Sequence, residues 1–250
     1  MKKGQDYGVY LFTKKELRRE VISYFLLDAV ISMLFYRSVI AFVLFAPGLK
    51  IYLKLRKKEL IRKRKAQMLK EFMTGMQLVN ASLQAGYAVE NSFREAVPQL
   101  LKMYPEDAFI LKEFRWILSS ISLNVPVESI LIDLGNRTHI DDIRNFAEVF
   151  QTAKRTGGDL IAIIRGAVTS IQSKTETKEE IEASISGKVT EQKIMSAAPL
   201  FLIAYTTVSS PGFLDVCYHN LLGITVMTGC LILYGAAFLM GKKIMSIEVT

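Results

Sequence analysis

The sequence predicts an all-α integral membrane protein, with an antiparallel helical bundle between N-terminal and C-terminal pairs of transmembrane helices. Three observations predict this. Apolar residues gather in four runs, Val21 to Tyr36, Ser38 to Leu53, Ile194 to Leu214 and Leu221 to Met240. Between the second and third runs, apolar residues recur every three or four positions, the period of a helix buried on one face. Half of the 250 residues are hydrophobic while the net charge is +8, a combination uncommon in a soluble single domain.

A membrane span needs about 20 apolar residues, and the two C-terminal runs meet that requirement. The two N-terminal runs are shorter and are expected to form a tight hairpin turning near Arg37, with basic end residues snorkelling and the bilayer thinned locally. Basic residues beside spans are retained in the cytoplasm. Lys2, Lys3, Lys14, Lys15, Arg18 and Arg19 precede the first run, Lys54 to Lys65 follow the second, and Lys242 and Lys243 follow the fourth. Four spans put all three clusters on one side, leaving Pro211 to Asn220 as an outer turn without Lys or Arg. The expected plan is a cytoplasmic segment over 1–20, a transmembrane hairpin over 21–54 and a cytoplasmic bundle with basic linker over 55–193. Two spans over 194–241 and a cytoplasmic tail over 242–250 follow. No cleavable signal is expected, because the first run starts only at Val21, holds Asp28 and lacks a small-residue cleavage site. The localisation implied is multi-pass in a membrane, with both termini cytoplasmic.

Within the bundle, five or six helices are expected and no strands. Met68, Phe72, Met76, Val79 and Leu83 form one apolar stripe; Val89, Phe93, Ala96 and Leu100 a second; Leu111, Phe114, Leu118 and Ile121 a third. Gly and Asn accept the left-handed conformation that closes a helix. Gly86 is therefore placed at the end of the first helix, Asn124 with Pro126 between the third and fourth, and Gly157 with Gly158 at the end of the fifth. Asp107 and Asp141 are read as caps for the third and fifth helices. From Asp159 onward one long helix is expected, with Lys174 to Glu182 as a solvated stem and a kink at Pro199 inside the membrane.

The inventory for catalysis is thin. His139 and His219 are the only imidazoles and lie on opposite sides of the expected membrane, and no zinc-ligand spacing occurs. Gly235 to Lys243 has the wrong spacing for a phosphate-binding loop and lies in an expected span. Cys217 and Cys230 suggest neither a disulfide framework nor a metal site. The basic run Lys54 to Lys65 holds no aromatic residue for base stacking, so anionic lipid headgroups explain it better than nucleic acid. No enzyme activity, cofactor or metal is expected. Asp28 is the exception to a bland reading, because an ionisable group within a span costs roughly 2.5 to 3.5 kcal/mol. It is expected either to face protein or to mark the first run as an interfacial helix exposed to water.

The segment Ser82-Leu-Gln-Ala-Gly86-Tyr-Ala-Val-Glu90-Asn-Ser-Phe93, the helix start Val125-Pro126-Val-Glu-Ser-Ile-Leu131 with Arg137, and above all Gln151-Thr-Ala-Lys-Arg-Thr-Gly157-Gly158-Asp159-Leu160 come in a telling order. A long helix, a proline-containing span with Pro199, a short outer turn and a last span follow. In this order the chain resembles the type II secretion system F-domain family, and within it the TadB-like platform proteins of tight-adherence (Flp, type IVc) pili. Asn124, where glycine is common, and Ser209-Ser210-Pro211, where Asn-Pro is common, depart from the pattern. The resemblance implies a nonenzymatic platform for pilus assembly or type II-like secretion. Its implied partners are a cytoplasmic assembly ATPase, a second, TadC-like F-domain protein, pilin subunits and membrane lipids, with homo- or hetero-oligomers. Gly86, Pro126, Gly157, Gly158, Asp159, Pro199 and Asp28 are the candidate structural or interface residues. The alternative is an oligomeric small-solute or ion transporter, with Asp28 in a polar pathway but without paired broken helices. A membrane-tethered sensor or enzyme ranks third.

Overall fold

The computed structural model describes residues 6–10, 12–157, 159–210, 212–215, 218 and 220–245. Every regular element among them is helical. In chain order they are α1 (Lys14–Phe35), α2 (Val39–Phe45), a 3-10 turn (Ala46–Gly48), α3 (Leu49–Gln84), α4 (Val89–Met103), α5 (Phe109–Ser122), α6 (Val127–Thr138), α7 (Asp141–Thr156), α8 (Leu160–Ser209) and α9 (Leu221–Met245). The chain divides into two compact units, Met1–Leu11 with Arg56–Glu176, and Phe12–Leu55 with Thr177–Thr250.

The first unit is a helical bundle built from most of α3, all of α4 to α7 and the start of α8. Its core holds Met68, Phe72, Met76, Val79 and Leu83 from α3 and Phe93, Ala96 and Leu100 from α4. On α5 the deepest residues are Ile110, Leu111, Phe114 and Ile117, while Leu118 and Ile121 lie at the margin. The expected third stripe is therefore rotated toward Ile110 and Ile117. Two glycines allow close helix approach: a Cβ on Gly75 would lie 2.8 Å from the Phe114 ring, and one on Gly135 2.9 Å from Arg144 Cα.

Turns form where left-handed residues permit them. Gly86 adopts φ 90°, Asn124 φ 60° and Gly157 φ 70°. At Gly86 the amide of Tyr87 donates to the Ser82 carbonyl at 3.2 Å, which satisfies one of the free carbonyls at the end of α3. The two expected aspartate caps are corrected. Ala108 and Ile140 occupy the cap positions of α5 and α7, and neither provides a side-chain cap. Instead Glu71 reaches across from α3, its Oε2 accepting from the Ile110 amide at 3.0 Å and its Oε1 from Gln67 at 2.8 Å. Asp141 lies one residue inside α7 and accepts from Arg144 at 2.7 Å.

The second unit holds α1, α2, the start of α3, the later part of α8 and α9. Arg37, with φ 44°, makes the sharp reversal between α1 and α2. Phe35, Tyr218 and Met227 form a small core here, with Leu200, Ile203 and Leu231 packed against it. The outside is apolar instead: Leu26, Met33, Leu44, Phe201, Val208, Leu222, Leu233 and Leu239 are all exposed.

Among the described residues, one segment, Leu222–Gly241, is long and apolar enough to cross a membrane. The other three runs differ from uninterrupted apolar helices for visible reasons. The first lies in a helix that opens with Lys14 to Glu20 and contains Asp28. Pro47, lacking a backbone donor, accompanies the 3-10 turn that splits the second run between α2 and α3. The third ends at Ser209 rather than Leu214. Helix α8 runs continuously from Leu160 through Gly166, Gly187 and Pro199 to Ser209.

Candidate functional site

Antiparallel packing collects the sequence-flagged turns at one end of the bundle. There α3 ends at Gly86, α4 and α6 begin, and α7 ends at Gly157. Lys154, in the last turn of α7, ties these pieces together: its Nζ lies 2.9 Å from Glu128 at the start of α6 and 3.5 Å from Glu90 at the start of α4. Glu90 and Glu128 sit in first turns and Lys154 in a last turn, so each charge also complements its own helix dipole. Burial alone pushes the Glu128 carboxyl up, but the hydrogen bond from Lys154, one from its own backbone amide and the Lys154 charge together outweigh it and hold the group below the usual glutamate range.

A surface cleft of about 340 Å³ lies beside this pair, lined by Glu128, Ser129, Gln151, Lys154 and Arg155. Tyr87, Leu123 and Val125 are exposed in the neighbouring turns. Pro126 is the cap residue of α6, without a side-chain bond. Asp159 caps α8, its Oδ1 accepting from the Ala162 amide at 3.1 Å. Gly158 lies outside the described residues. The structure thus brings Gly86, Pro126, Gly157 and Asp159 to one end, while Pro199 and Asp28 belong to the second unit.

At the opposite end lies a buried charged cluster that sequence reading missed. Arg137 on α6 faces Glu113 on α5 with two parallel bonds, 3.1 Å to Oε1 and 2.8 Å to Oε2. Its Nε donates to Asp133 at 2.6 Å. The two side chains retain only 10% and 3% of their surface exposed. The guanidinium also lies 4.7 Å from the centre of the Trp116 ring, a favourable cation–π geometry. Tyr7, fully buried, donates its hydroxyl to Glu113 Oε1 at 2.9 Å. Burial, with the Glu113 charge beside it, pushes that phenol far above its usual range. A signal existed in the sequence: Glu113 shares the three- and four-residue spacing of Ile110 and Ile117, and Arg137 that of Ile130 and Leu134. A charge on a core face needs a partner.

In the second unit, α1 buries a polar stripe inside an apolar exterior. Glu20, Tyr24, Asp28 and Ser32 follow one another at four-residue spacing. Tyr52 donates to Glu20 at 3.0 Å, Tyr24 to the Phe45 carbonyl at 2.7 Å and Ser32 to the Ser38 carbonyl at 2.8 Å. Asp28 is 4% exposed, and its Oδ2 has no hydrogen-bond partner. This corrects the water-exposed alternative for Asp28: the side chain points into its own chain, because the hairpin folds that face of α1 inward.

Three threonine hydroxyls on α8 and α9 are satisfied within their own helices, and a tyrosine hydroxyl on α9 by a carbonyl of α8. Thr206, Thr207 and Thr228 each donate to the carbonyl four residues earlier, at 2.7 to 2.8 Å. Tyr234 donates to the Ser196 carbonyl at 2.7 Å.

No group of three or more metal-ligating side chains occurs among the described residues. His139 caps α6 in the left-handed region, φ 51°, and contacts Asp6 at 3.2 Å. The arrangement consists of packed helices and charged turns in the first unit and an apolar exterior in the second. Comparison with protein-family models, with curated proteins and with solved structures finds no match to this chain.

Proposed function

We propose that this chain is a nonenzymatic membrane platform for type IV-like pilus assembly or type II-like secretion, of the F-domain, TadB-like kind, linking a cytoplasmic assembly ATPase to pilin subunits. Helix α8 carries the reading. Its Ile164 and Val168 are buried in the bundle core, and its Phe201, Leu202 and Val208 are exposed apolar residues of the second unit. One continuous helix therefore belongs to both units, and a rigid element of this sort can transmit a displacement.

Membrane residence is supported by the exterior of the second unit. Exposed Leu, Ile, Val, Phe and Met crowd α1, α2, α8 and α9, which in water is a large aggregation liability. In a bilayer the same faces meet lipid, while threonine hydroxyls bonded back to their own helix need no water. Lys14, Lys15, Arg18 and Arg19 are exposed at the start of α1 and suit anionic headgroups. The turn-rich end of the bundle, with Tyr87, Leu123 and Val125 beside Lys154, is the surface proposed for the ATPase. A second F-domain protein and pilin are assigned to the membrane unit.

A clean deletion is expected to abolish surface pili, restored by the gene in trans, and a photocrosslinker at Tyr87 to capture the ATPase in intact cells. The purified protein is expected to hydrolyse no ATP. Normal piliation in the deletion contradicts the platform role, and turnover by the pure chain contradicts its nonenzymatic character. The buried, incompletely bonded Asp28 favours a second reading, an oligomeric ion transporter. Ion flux through proteoliposomes of the pure chain, lost in Asp28→Asn, is the result that selects it.

A further inference from the structure

The N-terminal segment is bound to the bundle as a peptide ligand is bound. Tyr7 is fully buried among core residues. Its ring meets Phe109 edge-on at 5.6 Å and has the Arg64 guanidinium 5.1 Å from its centre. Its hydroxyl reaches Glu113 Oε1 at 2.9 Å, and its amide donates to the Arg137 carbonyl at 3.0 Å. Arg64 also donates to the Val9 carbonyl at 3.3 Å.

The neighbours of Tyr7 are more exposed but also make contacts. A Cβ on Gly8 would lie 2.6 Å from His139 Cδ2, so only glycine fits beside that imidazole without displacing it. Asp6 contacts His139 at 3.2 Å and accepts from the Gly8 amide at 2.8 Å. The pocket thus suits an aromatic ring with a hydroxyl at its tip, and a following glycine leaves the half-exposed His139 imidazole in place. Its walls come from α3, α5 and α6, through Arg64, Phe109, Glu113 and Arg137. The bidentate Arg137 pair holds Glu113 ready to accept, a preorganisation typical of recognition sites.

We propose that this pocket is a recognition site for a Tyr-Gly peptide segment, filled in cis by residues 6–9, which thereby form a releasable latch between the bundle and the strand of chain leading into α1. The segment is short and without regular structure of its own. Local release therefore costs much less than unfolding the bundle. An incoming Tyr-Gly segment of the same chemistry competes for the vacated site.

The test uses the full-length protein in lipid nanodiscs, with Trp116, the chain's single tryptophan, as the reporter beside Arg137. Tyr7→Ala is expected to shift Trp116 emission and to speed amide exchange in α5 and α6 by roughly tenfold or more, the scale of one lost charge-assisted bond. The peptide Asp-Tyr-Gly-Val-Tyr, added to that variant, is expected to restore both signals saturably. The same peptide with Ala in place of Tyr, or in place of Gly, is expected to restore neither. Unchanged emission and exchange in Tyr7→Ala, or no rescue by the Tyr-Gly peptide in a chain with native helicity, overturns the proposal.

If Tyr7→Ala loses its helicity, the decision passes to a chain with a protease site inserted between Leu11 and Phe12. After cutting, the freed segment is expected to stay with the folded protein until excess peptide displaces it. Its immediate loss from a folded bundle overturns the proposal.

Discussion

At the scale of single residues, the bundle's stability is most sensitive at the pair Glu113 and Arg137. Removing one partner of a buried ion pair leaves the other charge uncompensated, which costs about 3–5 kcal/mol. Arg137→Ala and Glu113→Ala are each expected to lose stability on that scale in urea titrations followed by helicity. The triple variant Tyr7→Phe, Glu113→Leu, Arg137→Met removes the charges and the dependent hydroxyl together, and is expected to lose less than either single change. A triple variant less stable than both singles contradicts this account of the cluster. The Glu128–Lys154 pair gives a pH signature. Lys154 holds the Glu128 carboxyl below its ordinary value near 4.5, so the unfolded chain takes up the proton first as pH falls. The stabilisation is fully present above about pH 4.5 and fades as pH drops through the lower folded value. Lys154→Met is therefore expected to melt below wild type at neutral pH, with the gap closing on acidification. A gap that widens toward acid excludes the assignment.

At the scale of elements, the turns were legible in the sequence because glycine and asparagine state their own backbone preference. Gly86, Asn124 and Gly157 read directly as helix ends and adopt positive φ. The apolar stripe of α3 was equally legible, since its spacing is local. The cap of α5 was not, because Glu71 and Ile110 lie on different helices and meet only once packing fixes their register. The same holds for Tyr7, which no periodicity connects to α5 or α6. Pro47 was visible but masked by the apolar residues around it, so the second run read as one span instead of α2, a turn and the start of α3. Helix α8, read as one element from Asp159 onward, begins at Leu160 and keeps an exposed stem at Lys174 to Glu182. A proline inside a helix costs about 3 kcal/mol. Lys178→Pro is expected to break α8 locally, exposing a new protease site there. Cells carrying it are expected to lose pili while the bundle's own unfolding midpoint stays unchanged. Full piliation despite a demonstrated break excludes α8 as the coupling element.

At the scale of the molecule, the two units invert each other's chemistry. The first buries apolar stripes and exposes charge; the second exposes Leu, Ile, Val and Phe and buries Glu20, Asp28 and Ser32. Under the proposed membrane reading, those two patterns suit two solvents, water and lipid. Under the same reading, the basic residues at the starts of α1 and α3 and the end of α9 are expected on the cytoplasmic side. This orientation is the central claim, since an ATPase and a bundle on opposite sides of a bilayer cannot meet. Its most direct test is a single cysteine at Thr177, in the stem of α8, with Cys217 and Cys230 replaced by serine. A membrane-impermeant maleimide applied to intact cells is expected to leave Thr177→Cys unlabelled, and to label it fully once the cells are opened. Labelling of Thr177→Cys in sealed cells contradicts the account.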